Sequence, residues 1–348
     1  MQEKSKQKIT LEYFAAANGY SGFRSYFNKV FNPREYSRIY ILKGGPGTGK
    51  STLMKSIYIS LEDLTNKNEL IYCSSDIKSL DGVIFEGKSG RAAILDGTSP
   101  HSTDPRYPGA VEKIVNLGEF WNTDKLLCER EKIIEYSDTK SMAYQKAYSY
   151  LSLAGSIKCE CDRIIKKASR ANDGHRSMAS FEGCGRLIDS FGKDGYYENS
   201  TLNNSAEKAI KVVGLYGSAE LYLNRLLDYY TPDDVDVYYS VFSHSKIKAV
   251  YIKSENTAYI STGSSDGENS KILDVTSLLN DKVIKENEDY LNTLSGYHES
   301  LLWKASDEFK KASESHFLLE DIYKSCVDFP AISDLSKTLA KEIKDLIL

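Results

Sequence analysis

The sequence predicts an α/β fold of two tandem domains, each with a parallel sheet and a long helical insertion, the second a degenerate copy of the first. Three observations predict this. An apolar strand pattern at residues 38–42 leads into a glycine-rich loop and then a helical pattern. A stretch of 29 residues recurs at a fixed offset of 166. Two long charged stretches with few helix breakers follow the two copies.

Composition limits the classes to which the chain can belong. Charged residues make up 27% and hydrophobic residues 41% of its 348 residues, which is typical of folded globular proteins. The net charge of −4 does not indicate a nucleic-acid partner. No apolar run approaches the roughly 18 residues that span a bilayer, and the first residues lack the apolar core of a signal peptide. We therefore expect a cytoplasmic protein without a membrane partner.

The first domain opens with a complete phosphate-binding loop (P-loop, or Walker A) motif. The pattern G-x-x-x-x-G-K-S is matched by Gly44, Gly45, Pro46, Gly47, Thr48, Gly49, Lys50 and Ser51, with Thr52 next. After the loop, apolar residues at four-residue spacing predict a helix over residues 51–61. Strand, loop and helix therefore occur in the order that a P-loop requires.

Each residue type in the loop has a physical role. Glycines let the backbone wrap closely around phosphates, and successive amide groups form an anion-binding concavity. The helix N-terminus adds partial positive charge. We predict that Lys50 reaches the β- and γ-phosphates, that the Ser51 hydroxyl ligates Mg²⁺, and that residues 44–52 bind ATP.

Two further strands are predicted at residues 69–73 and 91–95. Asp96 ends the second of them after four small or apolar residues, which is the Walker B pattern. An acid there would lie near Mg²⁺ and hold it partly through water. The alternative is an ordinary aspartate that caps a turn.

Other polar residues follow the same strands. Asp76 and Asp81 could orient an attacking hydroxyl or water, or could be solvated turn residues. Arg106 could stabilise phosphoryl charge or bind an anionic substrate, and His101 lies in the same loop.

The motifs favour ATP over GTP. The run that starts at Asp96 lacks the glycine of a D-x-x-G switch. Residues 66–69 look like a guanine motif, but they follow the first helix too soon to reach a base pocket.

A second, degenerate copy is predicted because residues 71–99 align without a gap on residues 237–265, with seven identities. Chance similarity of two strands is the alternative. With Gly47 aligned on Gly217, the correspondences are Lys50 with Glu220, Ser51 with Leu221 and Asp96 with Thr262. The phosphate-binding residues are thus lost, and repulsion by Glu220 is expected to keep the second loop empty.

The charged stretches predict helical insertions at about residues 119–172 and 278–327, each of one or two long helices. They could form a lid, a brace between domains or a dimer surface, which leaves a homo-oligomer open. A glycine cluster at residues 183–195 places the domain boundary near 190, giving domains 1–190 and 191–348.

Residues 13–121 resemble a poorly characterised bacterial family of duplicated P-loop ATPases, also described as nucleotide-kinase-like. The resemblance rests on YFAAANGYSGF, ILKGGPGTGKSTLMK, YCSSDIKSLDGVIF and ILDGTSPH. It implies two tandem P-loop NTPase-like domains with helical insertions. In that family the second half also tends to carry a phosphate loop, and this chain departs from it at Glu220 and Leu221.

These observations favour a Mg²⁺-dependent ATPase with one nucleotide site in the N-terminal half. Lys50, Asp96, Asp76, Asp81 and Arg106 are its candidate catalytic residues. A small-molecule kinase, acting on a nucleotide or another acceptor, is the first alternative. An ATP-gated interaction protein with an unidentified protein partner is the second.

Overall fold

The structure, a computed structural model, describes residues 9–170, 181–262 and 271–348. It has mixed α/β architecture and contains two compact units. Unit 1 comprises residues up to Ala16, Ser25–Gln145 and Glu308–Leu348, and unit 2 comprises Ala17–Arg24 and Lys146–Asp307. Each unit is therefore discontinuous in sequence.

In the described ranges the strands are β1 (Ile9–Phe14), β2 (Ala16–Gly19), β3 (Gly22–Ser25), β4 (Arg38–Lys43), β5 (Lys67–Tyr72), β6 (Leu80–Glu86), β7 (Arg91–Asp96), β8 (Glu112–Asn116), β9 (Asp189–Gly192), β10 (Gly195–Glu198), β11 (Lys208–Val213), β12 (Val235–Ser240), β13 (Ser243–Ile252), β14 (Thr257–Ser261) and β15 (Lys271–Asp274). The helices are α1 (Phe27–Val30), α2 (Lys50–Leu61), α3 (Thr123–Cys128), α4 (Arg130–Ala168), α5 (Thr201–Ser205), α6 (Ser218–Leu226), α7 (Asp281–Glu286), α8 (Glu288–Lys324) and α9 (Phe329–Ile347).

Unit 1 is built on a six-stranded sheet in the order β1-β5-β6-β7-β4-β8. The prediction of a parallel sheet is wrong in one respect, because β6 runs antiparallel to both β5 and β7. Only short connections join β6 to its neighbours, and parallel strands require a crossover of a dozen or more residues. The other neighbouring pairs are parallel, including β4 with β7 and β4 with β8.

Unit 2 contains a five-stranded sheet in the order β12-β13-β14-β11-β15. Its strands repeat the relative directions of β5-β6-β7-β4-β8: the second strand is antiparallel to both neighbours, and the remaining pairs are parallel. The glycines at residues 192 and 195 belong to the hairpin of β9 and β10 within unit 2. They do not mark a domain boundary, because here glycines serve a tight turn.

The two long charged stretches form helices, as predicted: α3 with α4, and α7 with α8. Residues 130–145 of α4 belong to unit 1 and the rest to unit 2, whereas residues 308–324 of α8 belong to unit 1. The compact units therefore differ from the predicted domains 1–190 and 191–348. The reason is that long helices carry the chain from one compact unit into the other, which a linear reading of linkers does not reveal.

The C-terminal helix α9 completes the hydrophobic core of unit 1. Its Ile343 and Ile347 are fully buried with Met54 and Ile57 of α2 and with residues of the sheet. Burial of such side chains stabilises a fold by about 1.5–3 kcal/mol each. The last residues of the chain thus belong with the N-terminal sheet.

No described helix is long and apolar enough to cross a membrane.

Replacing Ile343 by Ala should destabilise unit 1 by about 2–5 kcal/mol, because a buried side chain would be exchanged for a cavity. Urea unfolding monitored by circular dichroism measures the loss. Asp345→Ala, at an exposed position of the same helix, is the control and should have little effect. Equal stability of the two variants would contradict the packing of α9 in this core.

Candidate nucleotide-binding site

The loop between β4 and α2 has the backbone conformation for which its glycines are needed. Gly47 and Gly49 have φ values of 68° and 81°, in the left-handed region that favours glycine. Gly49 caps α2, whose first residue is Lys50. The Thr48 hydroxyl donates to the Gly45 carbonyl at 2.8 Å and closes the turn. The amide groups at the start of α2 therefore face the loop.

The side chains of Lys50 and Asp96, which belong to two separate sequence motifs, are neighbours in the structure. The Lys50 ammonium donates to the carbonyl oxygens of Gly44 and Gly45 at 2.8 and 2.9 Å. Its Nζ lies 3.6 Å from Oδ2 of Asp96, and both side chains are largely buried. Parallel pairing aligns Leu42 of β4 with Asp96 of β7, so the loop and the carboxylate meet at the carboxyl edge of the sheet.

The two predicted magnesium ligands have fixed orientations. The Ser51 hydroxyl accepts a hydrogen bond from the Leu80 amide at 2.9 Å. Oδ1 of Asp96 accepts from the amide and the hydroxyl of Thr98. The described residues contain no group of three or more His, Cys, Asp or Glu that could hold a metal alone. A hydroxyl and a carboxylate suit Mg²⁺, which takes its other ligands from phosphate and water.

Thr52, the last residue of the predicted binding segment, follows in the first turn of α2 and is exposed. The segment that resembles a guanine motif lies at the amino end of β5. That end is at the sheet edge opposite the loop, because β5 runs in the same direction as β4.

The other predicted residues are only partly brought to the loop. Asp81 is buried in β6, and its carboxylate lies 3.0 Å from Nε2 of His101. The His101 ring stacks on Phe27 at 4.3 Å. Asp76 lies in the β5–β6 connection, where its carboxylate accepts from the Lys78 amide. Arg106 is exposed, and its backbone amide donates to Glu112.

Helix α8 packs directly on the glycine-rich loop, a contact that the sequence motifs did not predict. A Cβ atom at Gly47 would lie 2.6 Å from the Glu320 carbonyl oxygen, and one at Gly45 would lie 2.9 Å from the Tyr323 ring. Two glycines of the motif therefore also permit close contact with a helix. The contacting residues of α8 lie some 270 residues after the loop in the sequence, so a local sequence pattern could not reveal the contact.

Helix α4 reaches the same site from unit 1. The Tyr144 hydroxyl donates to Ser75 in the β5–β6 connection at 3.3 Å. One turn earlier, the Lys140 amine lies 3.4 Å from Nδ1 of His316 on α8. Both residues stand in an ordinary charged helix pattern, and nothing in their sequence context marks them as site residues.

A cavity of about 460 Å³ lies beyond the carboxyl end of β8. It is lined by Glu119, Phe120, Trp121, Asn122, Lys125, Ser325, Cys326, Val327 and Asp328. The Trp121 ring packs edge-on against Tyr323, whose ring touches the P-loop. Nε1 of Trp121 is buried and has no hydrogen-bond acceptor in the described part of the chain.

The corresponding loop of unit 2 is shorter. Residues 214–217 separate β11 from α6, whereas residues 44–49 separate β4 from α2. Gly217, with a φ of 97°, caps α6 as Gly49 caps α2. Counted from the helix start, Ser218 and Ala219 stand where Lys50 and Ser51 stand in unit 1. The sequence alignment of Lys50 with Glu220 is thus wrong, because it assumed equal loop lengths.

The charge of Glu220 is also compensated. Its carboxylate lies 3.1 Å from Nζ of Lys246, and the Lys158 amine lies 3.2 Å from the place of a Cβ at Gly217. Asp162 pairs with both lysines. Repulsion by an isolated Glu220 therefore does not describe this loop, although Thr262, opposite Asp96, still offers no carboxylate. Residues 263–265, which end the predicted repeat, lie outside the described residues.

Gly47→Ala should lower the free energy of unfolding by about 2 kcal/mol more than Gly109→Ala. Both glycines have positive φ, but a Cβ at Gly109 would meet nothing within 4 Å, so only Gly47→Ala adds a clash with α8. Urea unfolding of the two variants measures the difference. Equal losses would show that α8 does not press on the loop.

Comparison of the chain with models of protein families, with curated proteins and with solved structures found no match. Its chemistry is therefore inferred from the arrangement of Lys50, Ser51 and Asp96 around the loop.

Proposed function

We propose that the protein is a Mg²⁺-dependent ATP-binding protein and an ATPase, with one nucleotide site in unit 1. One observation carries the proposal: a buried ammonium at the start of α2 lies 3.6 Å from a carboxylate at the end of the adjacent parallel strand. A glycine loop, a helix N-terminus and this pair of charges together form an arrangement suited to a triphosphate and its metal. ATP as ligand also favours a cytoplasmic location.

In this proposal the loop amides and Lys50 bind the phosphates. The Lys50 amine, which donates to two loop carbonyls in the structure, would transfer these hydrogen bonds to phosphate oxygens. The exchange replaces neutral acceptors by anionic ones in a partly desolvated site, so it favours binding.

Ser51 and Asp96 would hold Mg²⁺, the hydroxyl directly and the carboxylate partly through water. The metal would supply neutralisation of the charge on the phosphate oxygens. Asp96 is prepared for this role because Thr98 fixes one of its oxygens and leaves the other directed at Lys50.

The cavity next to the loop is suited to the nucleoside. Asp96 and Lys50 would bind the phosphates of the nucleotide on the β7 side of β4. The nucleoside of an extended nucleotide would then lie toward β8, on the other side of β4. There the cavity offers an aromatic wall at Trp121 together with polar groups.

The attacking water would be oriented by Asp76 rather than Asp81. Asp81 is buried against His101, whereas Asp76 lies in the connection that leads to Leu80, the first residue of β6, whose amide donates to Ser51. Water would attack the γ-phosphorus, and ADP would leave with the phosphoanhydride oxygen.

The kinase alternative is less well supported, because His101 is buried in its pair with Asp81 and Arg106 is exposed. An ATP-gated interaction protein has a specific observation in its favour. Helix α8 packs against two glycines of the loop. Binding of phosphates in the loop would therefore shift the position of that helix.

We also propose that the two units arose by duplication of a P-loop domain, in line with the resemblance to the duplicated ATPase family. The shared strand order supports this. So does a pair of equivalent hydrogen bonds at an offset of 158. The Asn122 amide donates to the Cys326 carbonyl, and the Asn280 amide to the Ala168 carbonyl, each at 2.7 Å.

Lys50→Ala should lower ATP affinity at least ~10-fold, because it removes the cation that faces the phosphates.

Asp96→Asn should keep most of the affinity and lose turnover, since the role of Asp96 is to hold the metal. Calorimetric titration and phosphate release measure the two effects, with thermal unfolding as a check of folding. Turnover at the normal rate in folded Lys50→Ala would refute the site.

Titration with a non-hydrolysable ATP analogue should give one site per chain, because the loop of unit 2 is two residues shorter and is followed by Ser218 and Ala219 where unit 1 has Lys50 and Ser51. Glu220→Gln should also give one site. Two sites in the variant would show that charge, not loop length, excludes the nucleotide. Two sites in the unmodified protein would mean that the unit 2 loop is functional.

A further inference from the structure

A second lysine stands beside the P-loop. The Lys140 amine on α4 lies 3.4 Å from Nδ1 of His316 on α8. The other ring nitrogen of His316 lies 3.4 Å from the Glu320 carboxylate, one helical turn further on. The backbone of Glu320 is in contact with Gly47 of the loop. These contacts connect Lys140 to the phosphate-binding loop through one turn of α8.

The positive charges here are poorly compensated. Among the residues that the structure describes, the Lys140 amine contacts the His316 ring and no carboxylate. Burial, and then the positive charge of Lys50, lower the pKa of Lys140. Asp96 is the carboxylate next to Lys50, and Glu320 is itself paired with Lys324 at 2.9 Å. Asp96 therefore pairs with Lys50, whereas no described carboxylate pairs with Lys140.

Another buried lysine of the same helix has the opposite surroundings. In unit 2, Lys158 pairs with Asp162 at 2.9 Å and lies near Glu220. Burial alone would lower the pKa of Lys158, but these two carboxylates outweigh it and raise the pKa. Of these two lysines of α4, Lys158 is neutralised by acids and Lys140 is not. Because a half-buried cation without a carboxylate partner is costly, its presence indicates an anionic ligand.

The direction of α4 indicates which part of the ligand is involved. Tyr144, one turn after Lys140, contacts Ser75 in the β5–β6 connection. The connection leads into Leu80, the first residue of β6, whose amide donates to Ser51, so this face of α4 lies toward the predicted metal ligands. The phosphate nearest to Lys50 and the metal in a bound triphosphate is the terminal one.

We propose that Lys140 is a second cation of the nucleotide site, which contacts the terminal phosphate of a nucleoside triphosphate held by the P-loop. The inference rests on the proposed function and adds a residue to it. It assigns to the long helix α4 the role of sensing whether that phosphate is present. His316 positions the amine, and Glu320 connects the same group to the loop.

The test compares nucleotides that differ by one phosphate. In the full chain, Lys140→Gln should weaken binding of a non-hydrolysable ATP analogue at least ~10-fold and change ADP binding less than ~2-fold, as expected for loss of one charge-assisted contact. Lys140→Arg should keep a preference for the triphosphate, because it keeps the charge. Lys132→Gln, an exposed lysine of the same helix, should leave both affinities unchanged. Calorimetric titration measures all of them.

Each outcome separates the inference from the proposed function. An unchanged ratio of the two affinities in Lys140→Gln would overturn the inference alone, provided that Lys50→Ala still weakens binding. An equal loss for both nucleotides would overturn it too, since loosened packing of α4 would act on both. If Lys140→Gln does not fold, Lys140→Met provides the same comparison with an apolar side chain. Failure of the unmodified protein to bind either nucleotide would overturn the proposed function and this inference together.

Discussion

The parallel pairing of β4 with β7 is the constraint on which the candidate site depends. Its register sets Leu42 opposite Asp96, so the loop after one strand and the carboxylate at the end of the other share one edge of the sheet. Lys50 then needs only the reach of its own side chain to approach Asp96. The antiparallel strand β6 belongs to the same arrangement, because Asp81 lies at its start and its first amide, that of Leu80, donates to Ser51.

The long helices determine which charged side chains lie near the loop. In unit 1 helix α8 packs on the loop, and Lys140 of α4 lies beside His316 of that helix, so both helices bring charged side chains near the loop. The same proximity explains the demand for glycine at residues 45 and 47, which meet Tyr323 and Glu320. The outer surface of the glycine-rich loop is thus part of a packed interface within unit 1.

Unit 2 has the same strand order with a different loop before its helix. Gly217 still caps α6, and Leu223 of that helix is buried in a core with residues of β12 and β13. The short loop is closed by an ion-pair cluster in which two lysines face two acids. Such a cluster is compensated internally, whereas the group at Lys50 and Lys140 is not. The contrast between the two units is one of charge balance rather than of fold.

Sequence alone determined the elements and motifs that depend on local pattern. The strand at residues 38–42, the loop, helix α2 and the long helices follow from periodicity and glycine placement, and Asp96 follows from its position after an apolar run. The strands β1 and β8 were not predicted, because hydrogen bonds to strands distant in sequence stabilise them. Strand β6 was not predicted either, although it pairs with its sequence neighbours β5 and β7. Only the tertiary structure decided the membership of α9 in unit 1, the contact of α8 with the loop and the neighbours of Lys140. Such contacts join residues far apart in the chain, where no local rule of spacing or propensity applies, and the burial of each charge follows from packing rather than from neighbouring residues in sequence.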